Sequence, residues 1–398
     1  MNHMDKKSRW FIFLFFASFI CYALFTVLFG SQAPLMMQYY RITASDQGFI
    51  TTMLSVGGIT TALACTLYGE RFPKLRTLGA GLILLAAMTL VIGFAPPYAA
   101  VIICALFAGI AYTLIDVMVN SSITQYFSDR SKTILPMAHM FFGVGAMAGP
   151  YLMTAIVNPQ IASSFTTPFL FVGGLTAVVF ILFSVTSGKF PGALYKNIPP
   201  QTDSKPADVF KSKKFWLLLL GGVLYCCFTT GILSWYTTYF NTTRGYPLDT
   251  SGLMLTLFFA GSLAMRFFGP LIFSKIKPQK IFIYFSLLSI ACMAIALSSG
   301  NFPLTVVFTV LSGAFQALNM PAIIFIGCAL FPSRHASATS IAIFAYNVGG
   351  MVAPFMLGLL AKQTGFQIPM YLTCALFALG VLVMAIVSVK YKKDLQNA

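Results

Sequence analysis

The sequence contains few charged residues and very few acidic ones. Only nine of its 398 residues are Asp or Glu and 25 are Lys or Arg, so 9% of the chain is charged. Hydrophobic residues make up 58% of the chain. A water-soluble protein of this length needs far more polar surface than this composition supplies. The composition therefore excludes a soluble globular protein and predicts a chain that lies in a membrane.

The sequence also lacks the motifs of several functional classes. We find no nucleotide-binding loop, no metal-ligand cluster and no pair of nucleophile and base, so an enzyme is not expected. There is no sizeable polar region that could form the soluble output domain of a receptor. The eight cysteines all fall within apolar runs, where they are expected to pack as small apolar residues without disulfides or a metal. No cofactor is expected.

Apolar runs of about 20 residues recur along the whole chain, and each is long enough to cross a ~30 Å hydrocarbon layer as a helix. They lie at residues 10–33, 47–68, 76–95, 98–124, 134–157, 168–188, 214–240, 250–273, 279–298, 303–329, 336–361 and 367–389. The sequence therefore predicts an all-α integral membrane protein with twelve transmembrane helices.

The two halves of the chain repeat each other at a constant offset of 204 residues. Glycines recur in register, as in the pairs Gly57 and Gly261, Gly109 and Gly313, and Gly145 and Gly349. Two parallel repeats are typical of one large class of transporters. A polar segment rich in proline, glycine and lysine separates the repeats. We predict an N-terminal six-helix half at 1–187, a cytosolic linker at 188–212 and a C-terminal six-helix half at 213–398.

The basic residues concentrate on one side of the predicted topology. With the N-terminus inside, 21 of the 25 Lys and Arg residues fall in cytosolic segments and three fall in outer loops. The positive-inside rule then places both termini in the cytoplasm, with the chain in a cell membrane (inner or plasma membrane). This asymmetry explains the basic net charge, so the lipid bilayer is an expected partner and nucleic acid is not.

Two local motifs resemble signatures of the major facilitator superfamily. The loop between helices 2 and 3 reads Glu70-Arg71-Phe72-Pro73-Lys74, which is similar to the family's acidic–basic–x–Gly–basic motif with proline in the glycine position. Helix 5 carries the glycines and proline of a second signature, at Gly143, Gly145, Gly149 and Pro150. The resemblance implies the major facilitator fold of two pseudo-symmetric six-helix halves and transport of a small-molecule substrate by a monomer. It also implies that Glu70, Arg71 and Lys74 belong to a conformational-switch loop.

Helix 4 resembles one branch of that superfamily, the fucose–galactose–glucose proton symporters. Asp116 and Asn120 match the acidic-x-x-x-Asn stretch of this branch, in which the carboxylate is the protonation site. The resemblance implies the same role for Asp116. The fucose permeases of the branch have a second carboxylate on helix 1, and the corresponding stretch here, Phe29–Pro34, contains no acid.

Three ionisable side chains, Asp116, His139 and Arg266, lie well within predicted spans. An ionised aspartate in the hydrocarbon layer is costly, so Asp116 is expected to be protonated, paired or open to water. We predict that Asp116 and His139 couple transport to protons and that Asp116 and Arg266 close an inner gate. The alternatives are a structural hydrogen bond for Asp116, a packing role for His139, and snorkelling of Arg266 to the headgroups.

The predicted cavity helices carry neutral polar and aromatic side chains. The candidate substrate-binding residues are Tyr22, Thr26, Tyr112, Asn120, Thr230, Trp235, Gln316, Asn319, Tyr346 and Asn347. Amides and hydroxyls suit the hydroxyl groups of a sugar, and aromatic rings suit its C–H face. We therefore predict proton-coupled symport of a small neutral polar solute, with a sugar as the expected substrate. The alternative is a proton-driven exporter of drugs or metabolites, which the 40 phenylalanines and 19 methionines favour.

Overall fold

The computed structural model describes residues 6–68, 73–127, 131–187, 212–331 and 335–395. These residues form α-helices and no strand, which confirms the predicted all-α fold. The helices are α1 (Lys6–Tyr40), α2 (Ala44–Tyr68), α3 (Lys74–Gly93), α4 (Tyr98–Tyr126), α5 (Ser131–Ala155), α6 (Thr166–Ser187), α7 (Lys213–Thr238), α8 (Leu248–Lys275), α9 (Pro278–Ser298), α10 (Phe302–Gln316), α11 (Asn319–Leu330), α12 (His335–Thr364) and α13 (Gln367–Lys390). A 3₁₀ turn at Ala162–Phe165 precedes α6, and a π-helical turn at Tyr239–Thr243 follows α7.

The helices are long and apolar enough to cross a membrane many times. Within the described residues, eleven spans meet this description, with α10 and α11 together forming one of them. The predicted span at 134–157 is not among the eleven, but it corresponds to α5, which is 25 residues long. A helix of that length extends about 37 Å, so it also covers the thickness of the hydrocarbon layer. The helices are consistent with the predicted twelve spans.

Two predicted spans differ from the helices that the structure contains. The predicted span at 303–329 is interrupted, because α10 ends at Gln316 and α11 begins at Asn319. Pro321 has no backbone N–H, so the carbonyl group of Ala317, four residues earlier, receives no helical hydrogen bond from it. The first helix is longer than predicted and continues through Pro34 to Tyr40. Proline is tolerated inside membrane helices because neighbouring groups satisfy the freed carbonyl.

The helices form two compact units. Unit 1 contains α1, the part of α2 from Met53 onward, and α3 to α6. Unit 2 contains residues 42–52, which include the first turns of α2, together with α7 to α13. The predicted N-terminal half therefore contributes one short segment to the packing of unit 2. The domain boundaries inferred from the sequence stay a prediction.

In unit 1, α5 packs along α1, and α3 packs against both α4 and α6. Two glycines of the predicted helix 5 signature, Gly145 and Gly149, lie at the contact with α1. A Cβ atom on Gly145 would come within 2.8 Å of the Ala23 side chain, and one on Gly149 within 2.6 Å of Val27. Small residues allow two membrane helices to approach closely. The motif therefore determines how near the backbones of α1 and α5 lie.

Two of the glycine pairs that repeat at the constant offset form the same helix crossing in each unit. In unit 1, a Cβ atom on Gly57 of α2 would overlap the carbonyl group of Leu106, and one on Gly109 of α4 would overlap that of Leu54. The corresponding pair in unit 2 is Gly261 of α8 and Gly313 of α10, which lie against the carbonyl groups of Val310 and Phe258. Each crossing is a direct backbone contact that only glycine allows, so the sequence repeat is also a structural repeat.

The first turns of α2 pack closely on α12 within unit 2. The hydroxyl of Thr52 donates a 2.7 Å hydrogen bond to the carbonyl group of Met351. A Cβ atom on Gly48 would overlap the backbone at Pro354, and one on Gly358 would overlap the carbonyl group of Ala44. Glycine is therefore required on both helices for this contact.

Candidate functional site

The predicted protonation residue lies near the middle of a continuous membrane helix in unit 1. Asp116 is ten residues from the end of α4 at Tyr126, which is about 15 Å along the helix axis. One turn later, the side-chain amide of Asn120 donates a 2.9 Å hydrogen bond from Nδ2 to Oδ1 of Asp116. Both side chains are half-buried. The structure thus brings together the two residues that the helix 4 motif singled out.

Aromatic side chains of α1, α4 and α5 pack beside one another in unit 1. The rings of Tyr22 and Tyr112 are stacked, with centroids 5.3 Å apart and planes inclined by 7°. One turn of α1 earlier, the ring of Phe19 lies 5.3 Å from the imidazole of His139, which is exposed. Thr26 donates its hydroxyl to the carbonyl group of Ala23, so this proton is held within α1. Two of the predicted substrate-binding residues, Tyr22 and Tyr112, therefore form one stacked pair.

A buried hydrogen-bond network connects three helices in unit 2. The hydroxyl of Tyr225 on α7 donates to Oε1 of Gln316 on α10, at 2.9 Å. The amide of Gln316 in turn donates from Nε2 to Oγ of Ser262 on α8, at 3.3 Å. These three side chains are 3–4% exposed. Gln316 was predicted from the sequence, whereas Tyr225 and Ser262 were not.

Arg266 lies beside this network. It follows Ser262 by one turn of α8, and the phenol groups of Tyr225 on α7 and Tyr346 on α12 lie near it. Its own side chain is exposed. Residues four apart share one face of a helix. The Ser262–Arg266 spacing was therefore the signal in the sequence that could have identified Ser262.

The interruption between α10 and α11 lies next to the network. Gln316 is the last residue of α10 and Asn319 is the first residue of α11, so the two predicted substrate-binding amides flank the break. The side chain of Asn319 is fully buried, and neither its Nδ2 nor its Oδ1 has a hydrogen-bond partner in the described part of the chain. Interrupted membrane helices are sites where transporters bind substrates and ions.

Three other predicted substrate-binding residues use their polar groups within unit 2. Thr230 and Asn347 each donate to the carbonyl group four residues earlier in their own helix. The indole of Trp235 is 1% exposed and donates from Nε1 to the carbonyl group of Pro354 on α12, at 3.0 Å. In this structure the hydrogen-bonding group of Trp235 therefore joins α7 to α12.

The predicted switch loop and the predicted inner gate involve residues from separate parts of the chain. Glu70 and Arg71 lie outside the described residues, and Lys74 is the first residue of α3, so the switch-loop role stays a prediction. Asp116 belongs to unit 1 and Arg266 to unit 2, and the predicted inner gate also stays a prediction. Within the described residues, no group of three or more His, Cys, Asp and Glu side chains could hold a metal ion.

The fold and these sites define the class of the protein. It is a multi-pass helical membrane protein built from two related units, with polar side chains placed inside the membrane helices of each. A family model described as the Major Facilitator Superfamily matches residues 14–300 and 249–397. The chain belongs to this superfamily, as the motifs of the sequence indicated. Its members are transporters that bind small-molecule substrates and work as monomers.

Known proteins match the chain along nearly its whole length. It is 20% identical over 377 residues to the uncharacterized MFS-type transporter YfkL of Bacillus subtilis (strain 168), covering 92% of this chain and 93% of that protein. The structure of the nucleoside transporter NupG matches with a TM-score of 0.78 at 10% identity, covering 96% of this chain and 99% of that chain. The structure of the E. coli fucose:proton symporter FucP matches with a TM-score of 0.64 at 16% identity, covering 95% of this chain and 98% of that chain. At these identities the two structures show a common fold.

Proposed function

We propose that this chain is a secondary active transporter that carries a small polar, hydroxyl-bearing solute together with a proton by alternating access. Sugars and related compounds are the expected class of solute. The proposed location is a cell membrane, with both termini in the cytoplasm, because the basic loops favour that orientation. One observation carries the proposal: the Asp116 carboxyl group lies inside a membrane helix and is hydrogen-bonded by Asn120.

The Asp116–Asn120 pair suits a group that gains and loses a proton during each cycle. The Asn120 amide can donate to Oδ1 of Asp116 whether the carboxyl group is ionised or protonated on its other oxygen. An ionised carboxylate at this depth is costly unless it is hydrated or paired, and protonation of Asp116 removes that cost. Asp116 is therefore the residue that we assign to proton coupling, with His139 of the neighbouring α5 as a second candidate.

The polar groups of unit 2 suit the hydroxyl groups of a solute. Gln316 and Asn319 flank the interrupted helix, and Asn319 has an unused donor and an unused acceptor in a fully buried position. A buried amide without a partner is destabilising by about 1–3 kcal/mol, and a bound hydroxyl group would remove that cost. The names of two proteins of similar fold, a nucleoside transporter and a fucose:proton symporter, support solutes of this kind.

The test is transport by the purified protein in liposomes. A panel of radiolabelled sugars and nucleosides, together with a fluorescent cationic dye, is offered with and without an imposed pH gradient. We expect a hydroxyl-bearing solute to accumulate only when the side from which it is taken up is the more acidic one. Extrusion of the dye against its gradient, without uptake of any sugar or nucleoside, would contradict the proposal and favour the drug-exporting alternative.

A pair of variants connects the result to unit 2. Asn319→Ala is expected to weaken binding of the transported solute several-fold, because one hydrogen-bonding partner of the solute is lost. Ser298→Ala is the matched control, since Ser298 ends α9, is exposed and bonds only within its own helix among the described contacts. Equal affinities in the Asn319 variant, the control and the unchanged protein would rule out Asn319 as a solute contact.

A further inference from the structure

Arg266 is a cation placed deep in a membrane helix. It lies nine residues before Lys275, the last residue of α8, which is about 14 Å along the helix axis. A charged side chain at such a depth normally pairs with an opposite charge or faces a water-filled cavity, and it marks a functional site by default. A functional role for Arg266 therefore depends on which groups of unit 2 lie near it.

The carboxylates described in unit 2 do not serve as that partner. Asp249 is the second residue of α8 and lies about 26 Å from Arg266 along the helix. Asp46 lies in the first turn of α2, where it is hydrogen-bonded by Thr43, and Asp394 forms a 2.7 Å ion pair with Lys214. Among the described residues of this unit, the ionisable groups that lie near Arg266 are the phenols of Tyr225 and Tyr346. Within the described residues of unit 2, these neutral groups leave its charge uncompensated.

Arg266 lies on the face of α8 that carries the buried network, and its own side chain is exposed. Arg266 shares a face of α8 with Ser262, which is 3% exposed and bonded to Gln316. The next two residues, Phe267 and Phe268, are 60% and 59% exposed, and successive helical residues point about 100° apart. Tyr225 of α7 and Tyr346 of α12 lie near Arg266. Phe267 and Phe268 instead form the outer, apolar surface of α8.

We propose that Arg266 is the anion-binding residue of the transporter and that the solute carries a carboxylate. This inference rests on the proposed function and names its substrate class: a hydroxyl-bearing monocarboxylic acid, such as a sugar acid. The planar guanidinium group offers paired N–H donors that match the two oxygens of a carboxylate. Gln316 and Asn319 would then bind the hydroxyl groups of the same molecule. The sequence alone led to a neutral solute because the candidate cavity residues are neutral, with Arg266 as the single cation that could bind an anion.

The proposal has an electrical consequence. A proton on Asp116 and a monocarboxylate on Arg266 carry no net charge across the membrane together. Symport of a neutral sugar with a proton would instead move one positive charge in each cycle. The dependence of uptake on membrane potential therefore separates an acidic solute from a neutral one.

The experiment measures binding and transport separately. Binding of gluconate, glucuronate and glucose to the purified protein in detergent is measured by the ligand-induced shift in thermal unfolding. Uptake of the same labelled compounds is measured in liposomes with a pH gradient, with and without a potassium-diffusion potential. We expect the two acids to bind and accumulate, with a rate that does not change with the potential, and glucose to bind at least tenfold more weakly.

Two substitutions test the residue itself. Arg266→Gln is expected to weaken acid binding by about tenfold to a hundredfold, the range for hydrogen bonds to charged groups, with little change for glucose. Arg266→Lys keeps the charge without the planar fork and should recover part of the loss. Lys275→Gln, which removes an exposed charge from the end of the same helix, is the control and should bind the acids normally.

The outcomes distinguish the two proposals. Binding of the acids that depends on Arg266, without accumulation in a pH gradient, would keep the anion site and overturn proton-coupled transport. Potential-dependent accumulation of glucose, with no binding of either acid, would keep coupled transport and overturn the anion site. Equal acid binding by the Arg266→Gln variant and the unchanged protein would also overturn it, and Arg266 would then be assigned to snorkelling toward headgroups.

Discussion

Replacing Asp116 by Asn tests the coupling mechanism directly. The variant keeps the size of the side chain. Its carbonyl oxygen can accept the same hydrogen bond from Nδ2 of Asn120, which lies 2.9 Å from Oδ1 of Asp116 in the unchanged protein. It permanently removes the group that binds the proton. We therefore expect normal folding, retained solute binding and retained exchange of labelled for unlabelled solute, together with loss of proton-driven accumulation.

The size of the effect follows from the number of protons. Among the described residues, Asp116 is the only carboxylate placed more than three residues inside a membrane helix. One proton per cycle then limits accumulation by a pH gradient alone to about tenfold per pH unit, because each unit corresponds to about 1.4 kcal/mol. With a gradient of two units the ceiling is about a hundredfold. The Asp116→Asn variant should bring the internal and external concentrations to the same value.

The assay is uptake of the labelled solute into liposomes under an imposed gradient of two pH units with the membrane potential clamped at zero. Asp249→Asn is the control, because Asp249 is exposed in the first turn of α8 and its loss should leave accumulation unchanged. The reasoning is refuted if the Asp116→Asn variant still concentrates the solute severalfold. His139 would then be the next residue to examine.

Three further substitutions test the packing and the binding groups. Gly313→Ala should destabilise the protein by about 1–3 kcal/mol, because the added methyl group overlaps the backbone of α8, whereas Gly174→Ala has open space and should not. Asn319→Leu should raise the melting temperature, since it removes two unpaired buried atoms, and should lower solute affinity. Trp235→Phe should cost about 1 kcal/mol through the lost bond to Pro354, with solute affinity unchanged. Thermal unfolding and ligand titration check all three; a destabilised Asn319→Leu variant or a solute affinity lowered by Trp235→Phe would contradict these assignments.

The membrane class, the number of spans and the internal repeat could be predicted from the sequence. Hydrophobic length alone indicates a membrane helix, because a backbone in hydrocarbon must satisfy its own hydrogen bonds. The repeat was readable because Gly57 and Gly109 reappear as Gly261 and Gly313, and the structure shows that both pairs make backbone contacts. The Asp116–Asn120 contact was also readable, because residues four apart on a helix are neighbours.

Contacts between helices depended on the tertiary structure. The sequence showed Pro321 but not that the tenth predicted span divides beside it, since proline in a membrane helix can be accommodated when neighbours satisfy the freed carbonyl. Tyr225 and Ser262 were not identified as partners of Gln316, because these residues are distant in the chain and meet only when α7, α8 and α10 pack. The surroundings of Arg266 likewise include residues of two other helices, α7 and α12. Local spacing determines which residues share a face of one helix, whereas helix packing alone determines what that face meets.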